Sequence, residues 1–150
     1  MITIRRILVP TDFSECATPA VRYAAELADK FEAELVLLHV VPDTVLALPD
    51  AVMPTPTPMT DLDTLTESGK TGLANLITAM KLEKYKPRAE VRLGSPEQEI
   101  VEAVKDLNVD LVCIATHGRE GIARVLLGSV AEMVVRHAPC PVLTVRPGTC

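Results

Sequence analysis

Two stretches carry residues whose types and spacing suit ligand chemistry. The first is Pro10-Thr11-Asp12, directly after the apolar run Ile7-Leu8-Val9. A carboxylate just past a buried strand can accept hydrogen bonds from sugar hydroxyls or help hold a metal ion. Aspartate is equally a preferred N-cap, so Asp12 can instead cap the helix that follows. The second stretch is Ala115-Thr116-His117-Gly118-Arg119-Glu120-Gly121, continuing to Gly128-Ser129. Gly118, Gly121 and Gly128 can take backbone angles closed to other residues, so the chain can curl and turn its N–H groups toward an anion. Gly128 and Ser129 then open a helix, whose first amides are unpaired and whose dipole favours negative charge.

Each feature also has a plainer reading. Ser129-Val130-Ala131-Glu132 spells a capping box, so the Ser129 hydroxyl either caps its helix or turns toward a phosphate. Short glycine motifs arise by chance, and an ordinary loop before a well-capped helix has the same composition. His117 either touches a ligand or fixes the loop through backbone hydrogen bonds. No partnered nucleophile or carboxylate beside it marks it as a base. Arg119 and Arg124 either screen phosphate charge or are solvated. His39 lies within the apolar run 35–41 and reads as a satisfied core histidine. Other nucleotide signatures are missing: there is no G-x-x-x-x-G-K-[ST], no G-x-G-x-x-G after the first strand, and no nucleophile elbow.

The elements that must position these residues follow from periodicity. Apolar runs at 7–9, 35–41, 89–93, 111–115 and 142–145 read as strands, several of them apolar throughout, as strands covered on both faces are. Between them lie helical patterns. Val21, Ala24, Ala25 and Ala28 share one face of the first, and Leu73, Leu76, Ile77 and Met80 one face of the second. Ile100, Ala103, Val104 and Leu107 repeat the spacing, as do Val130, Met133, Val134 and His137. Ser95-Pro96-Glu97-Gln98 marks a helix start, with an N-cap serine, proline first, and glutamine placed to close a capping box. Ser14 or Thr18 caps the first helix, and Pro19 makes an irregular first turn expected. The alternation predicts an α/β fold with one open, doubly wound parallel sheet and helices on both faces. In such a sheet ligands bind beyond the carboxyl ends of the strands, where the strand order reverses.

The chain has 150 residues, 48% hydrophobic and 23% charged, with 15 basic and 20 acidic side chains and a net charge of −5. That length suits a single domain over 1–150, one that buries roughly 70% of its unfolded surface, so a full core needs no disulfide or metal staple. No basic stripe suggests nucleic acid as a partner. Mean hydropathy is +0.25, yet no apolar run is long enough to span a bilayer, and residues 1–6 do not resemble a signal peptide. The expected location is the cytoplasm. The four cysteines form no C-x-x-C pair, and Cys113, in an apolar run, reads as a small buried hydrophobe. Five prolines punctuate 42–60, an extended or mobile loop that is either functional or a tolerated insertion.

Ile7-Leu8-Val9-Pro10-Thr11-Asp12-Phe13-Ser14, Leu38-His39-Val40, Thr116-His117-Gly118-Arg119, Leu126-Leu127-Gly128-Ser129-Val130-Ala131-Glu132 and Ala138-Pro139-Cys140-Pro141-Val142-Leu143 together resemble the universal stress protein family. The likeness runs from the first strand to the last. ATP-binding members carry G-x2-G-x9-G-[ST]; here Gly118, Gly128 and Ser129 match, while Ala115 replaces the first glycine. The resemblance implies strand order 3-2-1-4-5 and an adenine nucleotide, ATP with Mg, bound where the order reverses. It implies that Pro10, Thr11, Asp12, Val40, Ala115, His117, Gly118, Arg119, Gly128, Ser129 and Val130 form the site. Within it Asp12 would face the ribose, Val40 would line the adenine pocket, and Gly128, Ser129 and Val130 would hold the phosphates. Asp12 could also reach nucleotide-bound Mg. It further implies a homodimer through the last strand, Val142–Val145, which suits an apolar edge that would otherwise stay unpaired. A nucleotide-responsive stress regulator with at most slow hydrolysis is the leading expectation. A dimeric scaffold of the same fold without ATP is the alternative, suggested by Ala115.

Overall fold

The computed structural model describes residues 1–43, 62–117 and 127–148. Five strands, β1 (Arg6–Pro10), β2 (Glu34–Pro42), β3 (Arg88–Gly94), β4 (Leu111–Ala115) and β5 (Val142–Val145), form one parallel sheet. Its order is β3-β2-β1-β4-β5, so the direction of winding reverses between β1 and β4. The helices are α1 (Thr18–Phe31), α2 (Leu62–Ala79), α3 (Pro96–Asp106) and α4 (Ser129–His137).

Burial on both faces explains why β1 is apolar throughout. Ile7 and Val9 pack with α1 and α2, whereas Leu8 packs with α3 and α4, and all three are fully buried. Leu35 and Leu37 likewise face α1, and Val36, Leu38 and Val40 face α3. Alternation along each strand therefore sorts neighbouring residues to opposite sides of the sheet. The buried stripe of α1 is Ala20, Val21, Ala24, Ala25 and Ala28, mostly small residues that let the helix lie close to the strands.

At the amino ends of the strands, Asp110 Oδ2 accepts the amides of Arg5 (2.8 Å) and Arg6 (3.0 Å). Arg6 reaches Glu34 with Nε at 2.5 Å and donates Nη1 to the Leu107 carbonyl. These bonds fix β1 between β2 and the turn that precedes β4, far from the polar strand ends.

Three helix expectations need correction. α4 buries Ala131 and Val134 and exposes Met133 (41%) and His137, so its inner stripe is rotated from the expected one. Ser95 does take the N-cap position, with Pro96 next, but its hydroxyl donates to Glu97 Oε2 at 2.6 Å and makes no cap bond. The hydroxyl turns its proton to that carboxylate, and its oxygen accepts no cap bond from the first turn of the helix. In α1 neither Ser14 nor Thr18 is the cap: Ala17 is, after an irregular turn in which Ala17 N donates to Ser14 O at 3.2 Å. Among the described residues no helix is long and apolar enough to cross a membrane. Of the proline-rich stretch, Pro42 ends β2, and 44–61 lie outside the described residues.

Candidate functional site

The carboxyl ends of β1 and β4 open into a cleft of about 970 Å³, at the upper end of what a small-molecule site occupies. Pro10, Thr11, Asp12, Val40, Ala115, His117, Gly128, Ser129 and Val130 all line it. Gly118 and Arg119, like Gly121 and Arg124, lie outside the described residues.

On the β1 side the backbone leaves the strand through two side-chain-closed turns. Thr11 N donates to the β2 carbonyl of Leu38 (2.8 Å), which holds the chain to the sheet one residue past the strand. Thr11 Oγ1 then accepts the Phe13 amide (3.0 Å), and Asp12 Oδ1 accepts the Ser14 amide (2.9 Å). Such turns are a common use of threonine and aspartate. They also decide the alternative for Asp12. Its carboxylate shapes this turn and does not cap α1, which starts at Thr18 behind Ala17. Asp12 is half-buried on the cleft wall.

On the β4 side, Thr116 continues the strand by donating its amide to Val145 O at 3.0 Å. Its carbonyl accepts the Gly128 amide at 2.5 Å, so the two ends of the loop between β4 and α4 meet. The Thr116 hydroxyl lies 3.0 Å from His117 Nδ1. Gly128 has φ −66°, which any residue can adopt, so the expectation that its backbone angles demand glycine is corrected. The demand is steric: a Cβ there would stand 2.9 Å from Thr116 O.

Gly128, not Ser129, is the N-cap of α4, and among the described residues no side chain makes a cap bond to the helix. The expected capping box is therefore absent, because Ser129 already has helical geometry as the first residue. The first helical bond runs from Glu132 N to Gly128 O (2.9 Å), so the amides of Ser129, Val130 and Ala131 have no acceptor within the helix. Together they present about half a positive charge at the cleft. An anion with several oxygens suits that place.

The remaining wall is mostly apolar and comes from both faces of the sheet. Leu38, Val40, Ile114, Pro96 and Ile100 line the α3 side. Phe13, His39, Gly69 and Gly72 line the α2 side. His39 is half-buried at the cleft, and its Nδ1 is bonded to Thr11 O at 2.9 Å. It is satisfied, as expected, but it belongs to the cleft wall and not to the closed core. Strand alternation carries the signal for it: if Val40 faces α3, His39 must face α2. Thr116 and the two α2 glycines had no comparable signal. Among the described residues no cluster of His, Cys, Asp and Glu is placed to hold a metal ion.

These features define a doubly wound α/β protein with a cleft at the topological switch point, lined by both a helix N-terminus and a carboxylate turn. The chain belongs to the Universal stress protein family, whose sequence pattern matches residues 3–146. It is 33% identical over 143 residues to Universal stress protein MJ0531 of Methanocaldococcus jannaschii, a match covering 95% of this chain and 82% of that one. The structure of MJ0577 from the same archaeon superposes with a TM-score of 0.81 at 29% identity, covering 99% of this chain and all of that one. Two more distant structures share the fold. One is a universal stress protein in complex with cAMP (22% identity, TM-score 0.65, covering 96% of this chain and 98% of that one). The other is a universal stress protein family protein of Arabidopsis thaliana with AMP bound (19% identity, TM-score 0.62, covering 97% and 93%).

Proposed function

We propose that this chain binds ATP at the switch point and acts as a nucleotide-responsive stress regulator. The observation that carries the reading is the convergence of two unlike strand ends on one cleft. The Asp12 turn stands on the β1 side, and the α4 amides with the Ser129 hydroxyl stand on the β4 side. That donor set fits an adenine nucleotide. A triphosphate suits the amides at the start of α4, and Asp12 suits a ribose hydroxyl. The apolar wall at Pro10 and Val40 suits a base. Relatives of the same fold with cAMP and AMP bound point to the same ligand class.

In this reading Gly128, Ser129 and Val130 hold the phosphates, and Ala115 and His117, with Gly118 and Arg119, complete that side. Thr11 shapes the turn that presents Asp12. The bound nucleotide supplies a polyanion, with Mg carried on its phosphates; the chain binds and orients it. The protein is a binder first, and any hydrolysis is slow.

Ala115 gives the ground for a second reading, a dimeric scaffold that takes no ATP. It places a methyl on the cleft wall where ATP-binding members carry glycine. Yet Ala115 lies in regular strand opposite Val145 and is not among the residues with positive φ. The substitution leaves the path of the chain unchanged and adds the smallest side chain, which favours the first reading.

We place the protein in the cytoplasm as a homodimer through β5, without nucleic-acid or membrane partners. β5 is the last strand in the sheet, Leu143 is exposed there, and Val135 and Met133 are exposed on the adjacent α4. Equilibrium dialysis with labelled ATP and Mg tests the nucleotide reading. One ATP retained per chain at micromolar concentration is expected; no retention above the buffer level contradicts it.

A further inference from the structure

The α2 side of the cleft contains a packed group that the nucleotide reading leaves without a task. His39 Nδ1 lies 2.9 Å from the Thr11 carbonyl oxygen. A carbonyl only accepts, so this contact places a proton on Nδ1 and makes His39 the donor. The imidazole stacks on Phe13 with centroids 4.3 Å apart and the planes tilted by 30°. Phe13 has φ +65°, a left-handed conformation that a bulky aromatic residue rarely adopts.

Room for this stack comes from α2. Gly69 and Gly72 are three apart and so share a helix face. A Cβ on Gly72 would lie 2.6 Å from Phe13 Cζ, and one on Gly69 would lie 3.3 Å from His39 Cδ2 and 3.0 Å from Val91 Cγ1. Glycine weakens a helix interior relative to alanine, so two of them on one face make sense where the space is needed. The recess holds Phe13 and His39, and these hold the Thr11–Asp12 turn from behind. The turn itself bonds Phe13 N to Thr11 Oγ1 and Ser14 N to Asp12 Oδ1, so any rotation at Phe13 also turns Asp12.

We propose that His39, through its Nδ1–H bond to the Thr11 carbonyl, is a positioning residue that aims the Asp12 carboxylate at the ribose of a bound nucleotide. This rests on the nucleotide reading above. The test compares Kd values of the full chain for ATP, 2′,3′-dideoxy-ATP and inorganic tripolyphosphate. Wild type is expected to prefer ATP over the dideoxy nucleotide by about tenfold, the order of one charge-assisted hydrogen bond. His39→Leu is expected to reduce that preference to below about twofold while leaving tripolyphosphate affinity unchanged, since the α4 side is untouched. His39→Asn, whose amide N–H can replace the Nδ1 donor, is expected to keep the preference. The proposal is overturned if His39→Leu keeps the wild-type ratio, if it weakens all three ligands equally, or if His39→Asn behaves like His39→Leu. Wild type that takes up no ATP overturns the underlying nucleotide reading, and this inference with it, which separates the two failures.

Discussion

Gly128 donates its amide to the Thr116 carbonyl oxygen at 2.5 Å, and a Cβ on Gly128 would stand 2.9 Å from that same oxygen. The hydrogen bond and the missing side chain are two aspects of one contact. Backbone can come this close only where no side chain intervenes. The contact seats the first turn of α4 against the end of β4, at the reversal of the sheet.

Gly128→Ala should therefore cost stability although φ −66° suits alanine. Relieving the 2.9 Å approach requires the loop or the start of α4 to move. A loss of about 1–3 kcal/mol is expected, read as a lower midpoint in urea unfolding. Gly128→Val should in addition abolish the thermal stabilisation expected from ATP under the proposed reading, because ligand stabilisation requires a formed site. An unchanged response to ATP would remove this loop from the account.

Asp12→Asn retains an oxygen for the Ser14 amide and so keeps the turn, while removing the charge. Unfolding stability is expected to change little. ATP affinity should fall by roughly ten- to a hundredfold, in line with the loss of a charged acceptor. Titration calorimetry of the two proteins checks both halves of the expectation.

Much of this arrangement is legible in the residues themselves. Ile7-Leu8-Val9 is apolar at every position because the two faces of β1 meet different helices, and that pattern marks a central parallel strand. Helix faces were less legible. Met133 and Ala131 are both apolar, and on α4 the small residue is buried while the large one is exposed. Side-chain size alone points the wrong way there, because the depth of the inter-element space decides what fits. Caps were only partly legible: of the expected positions Ser95 holds, while α1 caps at Ala17 and α4 at Gly128. Ser95 caps by location while its hydroxyl goes to Glu97, and Ser129 starts α4 one residue inside the cap. The partnership of His39 with Phe13 and the α2 glycines spans three elements, so no local pattern announces it.

Exposed apolar residues on α4 and β5 bear on assembly. Leu143 is 36% exposed on the outermost strand, and Val135 is 45% exposed on the neighbouring helix. Leu143→Lys places a charge on that edge, which disfavours edge pairing. Sedimentation should show a dimer for wild type and a monomer for the variant, with the fold intact. Equal masses for the two proteins would exclude β5 as the interface.

Cys113 supplies a pH dependence. It is fully buried in β4, and burial pushes its thiol up from the ordinary 9.0 to about 12. Above pH 9 the unfolded chain loses this proton while the folded chain keeps it. The folded state then binds more protons, and stability falls as pH rises. The contribution is intact below pH 9 and lost as pH climbs toward 12. Urea unfolding at pH 8, 9, 10 and 11 should show a shallower alkaline decline for Cys113→Ala than for wild type. Parallel declines would contradict the burial.

The central claim is that the start of α4 and the Asp12 turn grip one nucleotide between them. Amide-resolved NMR during titration with Mg-ATP tests it most directly. The account predicts that the resonances of Gly128, Ser129 and Val130 move together with those of Thr11 and Asp12, all saturating at one equivalent per chain. Shifts confined to other parts of the protein, or no shifts at saturating nucleotide, would contradict it.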